Sequence, residues 1–212
     1  MYTETVEQAT LNLLKRLMSD EELSDFYLVG GTALTLQEGF RKSIDLDMFT
    51  NDMQDREGVE NHLVLNYGFK ADLSIKRTLL GHIGGVKTDF INYPYRPIRP
   101  LIEEEGIRMV SAEDIAAMKL AAIMNSGKRM KDFVDVAFLS TKFSLMQMMG
   151  FFAEKFPHSS VLSAEKSLLF FDDIDFSVPI SLVSGKFRWM PVRRRLLEMA
   201  QFPTRVFDPL DL

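Results

Sequence analysis

Tyr27-Leu28-Val29-Gly30-Gly31-Thr32-Ala33-Leu34-Thr35-Leu36-Gln37-Glu38-Gly39-Phe40-Arg41-Lys42-Ser43-Ile44-Asp45-Leu46-Asp47-Met48-Phe49-Thr50 is the stretch around which the 212-residue chain is organised. It reads as strand, glycine turn, short helix, turn and strand. Phe26 to Val29 is a short apolar run of the kind that forms a buried strand. Gly30 and Gly31 let the backbone turn sharply and let a ligand approach it closely. Thr32 suits the N-cap of a helix that carries Ala33, Leu34 and Leu36 inward, and Gly39 suits the position just past its end. A helix that starts straight after two glycines presents free N–H groups and a partial positive charge, which favours an anion. In the second strand alternation places Asp45 and Asp47 on one face and sends Ile44, Leu46 and Met48 to the core. Two adjacent carboxylates repel each other; a divalent cation removes that repulsion, and hard oxygen donors suit magnesium. Phosphates on a helix start beside a magnesium pair is a geometry for handling a nucleoside triphosphate.

Gly30-Gly31-Thr32-Ala33-Leu34, followed by Gly39, Arg41, Ser43 and Asp45-Leu46-Asp47, resembles the nucleotidyltransferases of the polymerase-beta superfamily. More narrowly it resembles the AbiEii/AbiGii group, the toxin half of type IV toxin–antitoxin pairs. The glycine pair alone is weak evidence; the glycines, Arg-x-Ser-x-Asp-x-Asp and their spacing together are specific. The resemblance covers most of the chain.

Composition sets the outer bounds. Hydrophobic residues make up 46% of the chain and charged residues 26%, which is ordinary for a soluble globular protein. No apolar run approaches the ~20 residues needed to span a membrane, and the acidic opening residues contain no apolar signal segment. With no cysteine there are no disulfides or thiolate zinc sites, and three scattered histidines argue against a histidine metal site. The expectation is a cytoplasmic protein. A net charge of −5 argues against general nucleic-acid binding. Two basic clusters stand out all the same: Lys186, Arg188, Arg193, Arg194 and Arg195, and Lys128, Arg129 and Lys131. Either suits an RNA backbone, but taken alone each reads better as a solvated helix face.

Along the chain, Thr5 to Met18 carries Val6, Ala9, Leu13, Leu14 and Leu17 at helical spacing. Gln54 to Asn66 reads as a second helix with Val59, His62, Leu63 and Leu65. Strands follow around Phe69–Ile75 and Leu79–Ile83, with Gly84-Gly85 as a hairpin turn. In Val86 to Asn92, Asp89 shares a face with Lys87 and Ile91. An acid between apolar neighbours on a central strand needs compensation. Without the first motif an exposed face paired with Lys87 is the better reading. With it, Asp89 is the third metal ligand, as the superfamily resemblance also implies.

Pro94, Pro97 and Pro100 interrupt regular structure, with one short edge strand expected at Ile107 to Val110. Ser111 to Asp114 opens a helix lined by Ile115, Met118 and Ala122, and Lys131-Asp132-Phe133-Val134-Asp135 opens another. Lys119, Lys131, Asp132 and Asp135 match the late motif of the toxin family. By that resemblance Lys119 contacts triphosphate oxygens and Asp132 acts near the acceptor as a general base. The mundane alternative is a pair of i,i+4 bridges, Lys128–Asp132 and Lys131–Asp135. Many members of the family carry an arginine just before this helix where the chain has Asn125-Ser126-Gly127; either Arg129 substitutes for it or a phosphate contact is missing. Phe143 to Lys155, Ser160 to Phe171 and a final helix that has Pro191 in its first turn and carries Leu196, Leu197 and Met199 inward complete the C-terminal half. Its arginines are expected outward and the tail from Pro203 loosely held.

The fold expected is α/β, a small mixed sheet of the nucleotidyltransferase type followed by a C-terminal helical bundle, with boundaries at 1–105 and 106–212. The function expected is transfer of a nucleotide from a nucleoside triphosphate to an RNA (such as a tRNA) or protein hydroxyl. Gly30, Gly31, Thr32, Arg41, Ser43 and Lys119 hold the triphosphate; Asp45, Asp47 and Asp89 hold Mg2+; Lys119 and Asp132 complete the catalytic set. A cognate antitoxin is the implied protein partner. The alternative is a catalytically silent nucleotide- or RNA-binding protein of the same fold.

Overall fold

The computed structural model describes residues 1–210. The chain divides into two compact units, Met1–Ser111 and Ala112 onward. The first is built on seven strands: β1 (Tyr27–Val29), β2 (Leu46–Thr50), β3 (Lys70–Ile75), β4 (Thr78–Ile83), β5 (Val86–Asn92), β6 (Ile102–Glu104) and β7 (Ile107–Met109). They lie in the order β3-β4-β5-β2-β1-β7-β6. The pairs β2–β5 and β1–β7 are parallel, and the other four are antiparallel. Helices α1 (Gln8–Met18), α2 (Gly30–Glu38) and α3 (Arg56–Tyr67) complete the unit. Leu14, Leu17, Leu28, Leu34, Leu46, Met48 and Phe90 are fully buried and form its core. Phe90 takes the edges of Phe26 and Phe69 at centroid distances of 5.4 and 6.0 Å.

Several local expectations shift. Helix α2 begins at Gly30, so Thr32 lies inside its first turn, buried, while Gly39 ends the helix at φ 74° as its type predicts. Strand β2 begins only at Leu46, and Ile44 is 56% exposed. Residue 43 is held by a different neighbour, the N-terminal segment, through Ser43 N–H to Thr5 O at 2.9 Å. Leu65 is 83% exposed because only the Leu63 stripe of α3 meets the core. The strand at Ile107 is interior, since β6 pairs outside it through the tight turn at Glu105 and Gly106.

The second unit is helical: α4 (Ala112–Asn125), α5 (Met130–Leu139), α6 (Leu145–Lys155), α7 (Val161–Leu168) and α8 (Trp189–Gln201). Helix α4 packs on α5, α6 and α7, and α5 packs on α8. Ser144 and Gln147 form a reciprocal capping box on α6. Met148, Met149 and Phe152 are buried, so this run serves packing, while Met146 faces out. Three expectations about the C-terminus are overturned. Leu197 is 41% exposed, because only Leu196 and Met199 of that group lie on the buried face of α8. Arg195 points inward, donating to Ser140 Oγ and Asp208 O at 2.9 Å each. The tail is anchored as far as Asp208, with Phe207 buried and its N–H on Ser140 O. Residues 211–212 lie outside the described part. Among the described residues no helix is long and apolar enough to cross a membrane.

A buried ion pair joins the ends of two helices: Lys155 Nζ lies 2.7 Å from Asp114 Oδ1, with both side chains almost wholly enclosed. Removing one partner strands a charge in a low-dielectric interior, whereas removing both does not. Lys155→Met is expected to lower stability by about 3–5 kcal/mol. The double variant Asp114→Leu/Lys155→Met should recover most of that loss in chemical denaturation.

Candidate active site

The site in the first unit is assembled by sheet register. Asp47 on β2 stands opposite Asp89 on the parallel neighbour β5 and opposite Val29 on β1. Residues in register on adjacent strands project to the same face, so the Asp47–Asp89 pairing brings together two carboxylates 42 positions apart in the chain. Val29 delivers the backbone directly into Gly30. There φ is 72°, a left-handed conformation that glycine adopts without cost. A side chain at Gly30 would collide with Asp47 Oδ2, so the helix start lies directly against that carboxylate.

The next glycine faces the other half of the motif. A Cβ on Gly31 would come within 2.5 Å of Arg41 Nη2 and 3.4 Å of Ser43 Oγ. Thr32 Oγ1 bonds Ser43 Oγ at 2.9 Å and also reaches Asp45 O, tying the first turn of α2 to the approach of β2. Val29 supplies no side-chain cap to the first-turn N–H groups of α2. Ser43 and the buried Arg41 guanidinium lie beside Gly31 in that turn. Gly30, Gly31, Thr32, Arg41, Ser43, Asp45, Asp47 and Asp89 thus gather in one region of this unit.

Lys87 is the residue that sequence reasoning treated only as an alternative partner. Its Nζ lies 2.7 Å from Asp89 Oδ2, and Gly81 N–H donates to Asp89 Oδ1 at 3.3 Å. Asp89 is 5% exposed, so the expected exposed face is absent, but the expected Lys87 pairing is present. Burial acts to lower the Lys87 pKa. The hydrogen bond to Asp89 and the fields of Asp89, Asp47 and Asp45 outweigh it, and the net shift is upward. The ammonium therefore senses all three carboxylates. As they stand, no three His, Cys, Asp or Glu among the described residues are arranged to hold a metal ion. The donor set still fits a hard divalent cation: every ligand is a carboxylate oxygen, two are in register, and a cation already balances the group.

The second unit contains its own charge cluster. Lys119 Nζ lies 2.6 Å from Asp132 Oδ1 and 2.8 Å from Asp135 Oδ2, with all three residues buried. Arg129, at the N-cap of α5, forks onto Asp132 through Nε at 2.9 Å and Nη2 at 3.2 Å. The alternative Lys128–Asp132 and Lys131–Asp135 bridges give way to these inward pairs, because both aspartates face the interior of the unit. Burial opposes ionisation of Asp132, but Lys119 and Arg129 together hold its pKa below the usual carboxylate value. In the C-terminal basic cluster Lys186, Arg188, Arg193 and Arg194 are exposed and Arg195 is not.

Residues 84–209 match the family described as nucleotidyl transferase AbiEii toxin, type IV TA system. The matched segment contains Asp89, Lys119 and Asp132 and begins after the glycine motif. The uncharacterized protein aq_aa25 of Aquifex aeolicus (strain VF5) is 32% identical over 170 residues, spanning 76% of this chain and 80% of the relative. Among solved structures, a protein from H. pylori described as a candidate nucleotidyltransferase superposes with a TM-score of 0.57 at 18% identity, covering 93% of this chain and 96% of that one. An antigenic nucleotidyltransferase-like protein from Paracoccidioides brasiliensis gives 0.50 at 16% identity, over 77% and 87%. These likenesses establish a fold of the nucleotidyltransferase type.

Two outcomes follow from the local geometry. Gly30→Ala adds both a left-handed alanine and a clash with Asp47, so denaturation should show a loss of at least about 1–2 kcal/mol. Gly31→Ala has no left-handed strain and presses on the end of Arg41, with Ser43 Oγ at ordinary contact distance, so its loss should be smaller than that of Gly30→Ala. For Asp132 the folded pKa is depressed, so its contribution is full above pH ~4 and is lost as pH falls through the folded value. Asp132→Asn should flatten that acid limb in a stability–pH profile.

Proposed function

The chain belongs to the AbiEii nucleotidyltransferase family, and we propose that it transfers a nucleotide from a nucleoside triphosphate to a hydroxyl of RNA or protein, with magnesium, as the toxin of a toxin–antitoxin pair. The observation that carries this reading is the uncapped glycine start of α2 lying against Asp47, with Arg41 and Ser43 beside it. The first-turn N–H groups, that of Thr32 among them, and the Ser43 hydroxyl are donors for triphosphate oxygens, and Arg41 balances the charge that builds on them in the transition state. Asp45, Asp47 and Asp89 would hold the magnesium, with Asp89 exchanging Lys87 for it. When bound, the metal lowers the pKa of the attacking hydroxyl and neutralises the departing pyrophosphate. In the transfer the acceptor oxygen bonds to the α-phosphorus, the bond from that phosphorus to the β-bridging oxygen breaks, and pyrophosphate leaves. The acceptor proton passes to a carboxylate or to water.

Lys119 and Asp132 enter through their match to the family's late motif, Lys119 as a contact for triphosphate oxygens and Asp132 as the base near the acceptor. Each would exchange an ion-pair partner for its ligand. The toxin role implies a cognate antitoxin that restrains the activity.

The test is incubation of the full chain with each of the four triphosphates, labelled in the α-phosphate, with magnesium and either total tRNA or the protein alone. Label is expected in the RNA or protein fraction. Asp45→Ala or Asp47→Ala should reduce it by roughly 10²-fold or more, while isothermal titration follows triphosphate binding separately. If triphosphate binds, no label moves and Asp45→Ala changes nothing, the catalytically silent reading replaces this one.

A further inference from the structure

A polar cavity of the first unit lies past the carboxyl ends of the parallel strands β2 and β5, with a volume of about 650 Å3. Three separate segments converge on it: Asn51 and Asp52 after β2, Lys76 and Arg77 at the β3–β4 turn, and Asn92 and Arg96 at and beyond the end of β5. The convergence is built. Asn51 Nδ2 donates to the carbonyls of Tyr93 and Tyr95 at 2.7 and 3.1 Å, and Asn92 N–H donates to Arg77 O at 2.8 Å. Lys76 has a φ of 31°, at a turn position where glycine is the usual residue. Among the described residues neither Lys76 nor Arg77 enters an ion pair, and Asp52, the acid in the lining, accepts from Gln54 Nε2 at 3.2 Å.

We propose that this cavity, three cations to one acid, binds the sugar–phosphate backbone of the RNA acceptor. The inference rests on the RNA-acceptor reading of the proposed function and deepens it. In a chain of net charge −5 a cationic lining is a local exception, and a polyanion is the ligand such an exception suits. The lining is mainly polar and lacks the large apolar centre that a protein interface carries. Beside it the rings of Tyr93 and Tyr95 lie 5.5 Å apart, which offers a surface for bases. The position is also apt. From Asp47 to Asn51 along the strand direction is four residues, about 13 Å at ~3.3 Å per residue. An RNA end at the carboxylates therefore has its following nucleotides within reach of the cavity.

The test is fluorescence anisotropy of a labelled single-stranded RNA against the full chain over a range of salt concentrations, with isothermal titration of the triphosphate alongside. Lys76→Glu/Arg77→Glu/Arg96→Glu is expected to weaken RNA binding more than about tenfold and to reduce the log–log salt slope by about 2, at ~0.7 per phosphate contact. Triphosphate binding should stay at the wild-type level. The isosteric Asp52→Asn removes the one acid and should strengthen RNA binding severalfold, which decides the matter even if the triple variant folds poorly. Unchanged RNA affinity in both variants, or no RNA binding by the wild type, overturns the proposal. Label transfer to protein without RNA binding overturns this inference alone. RNA bound at this cavity with no label transferred supports it and overturns the transferase reading instead.

Discussion

The pairing of β2 with β5 in parallel register is the constraint on which the candidate site depends. It sets Asp47 opposite Asp89, and the antiparallel pairing of β2 with β1 sets Asp47 opposite Val29, the residue before the glycine bend. A slip of one residue in either ladder would turn one of these side chains to the opposite face. Such a slip would bring Leu46 or Met48, both fully buried, out of the core. The burial of apolar side chains on one face therefore enforces the gathering of carboxylates on the other. Stability and chemistry share a single register.

That arrangement has an electrostatic cost which the chain meets with Lys87. Two carboxylates in register on adjacent strands repel each other unless a cation lies beside them. Lys87 is on the same strand as Asp89, two residues away, and so occupies that position without a ligand. An ammonium held by these groups is a stand-in for the divalent charge that the proposed chemistry needs. In the second unit the same principle is applied to a buried group: Lys119 and Arg129 hold Asp132 ionised within the helical bundle. There Lys119 and Asp132 are enclosed while Arg129 reaches in from the surface, so the balance is between desolvation and close pairing rather than between solvent and a ligand.

The sequence reading succeeded wherever a local rule acts with little competition. Glycine at φ 74° after α2 and the Gly84-Gly85 hairpin follow from backbone sterics and nearby hydrogen bonds alone. It went astray where long-range contacts decide the outcome. Thr32 has the chemistry of a cap, yet its hydroxyl is drawn to Ser43 and the Asp45 carbonyl, and the helix begins two residues earlier. Leu65 and Ile44 continue an apolar pattern, yet no partner element covers them. Arg195 belongs to a basic run and still turns inward, because the Ser140 hydroxyl and the tail carbonyl of Asp208 offer it acceptors there.

By itself the sequence determined that an apolar strand enters a glycine bend, that a short helix follows, and that Asp47 alternates with the core residues Leu46 and Met48 on the next strand. These are consequences of steric freedom at glycine and of the two-residue period of a strand, both local properties. Only the tertiary structure decided that Asp89 lies in register with Asp47, that Lys87 neutralises the cluster, and that Lys119 is enclosed between Asp132 and Asp135. The physical reason is that strand order and helix packing come from minimising exposed apolar area over the whole unit, and residues distant in the chain acquire their neighbours only through that global process.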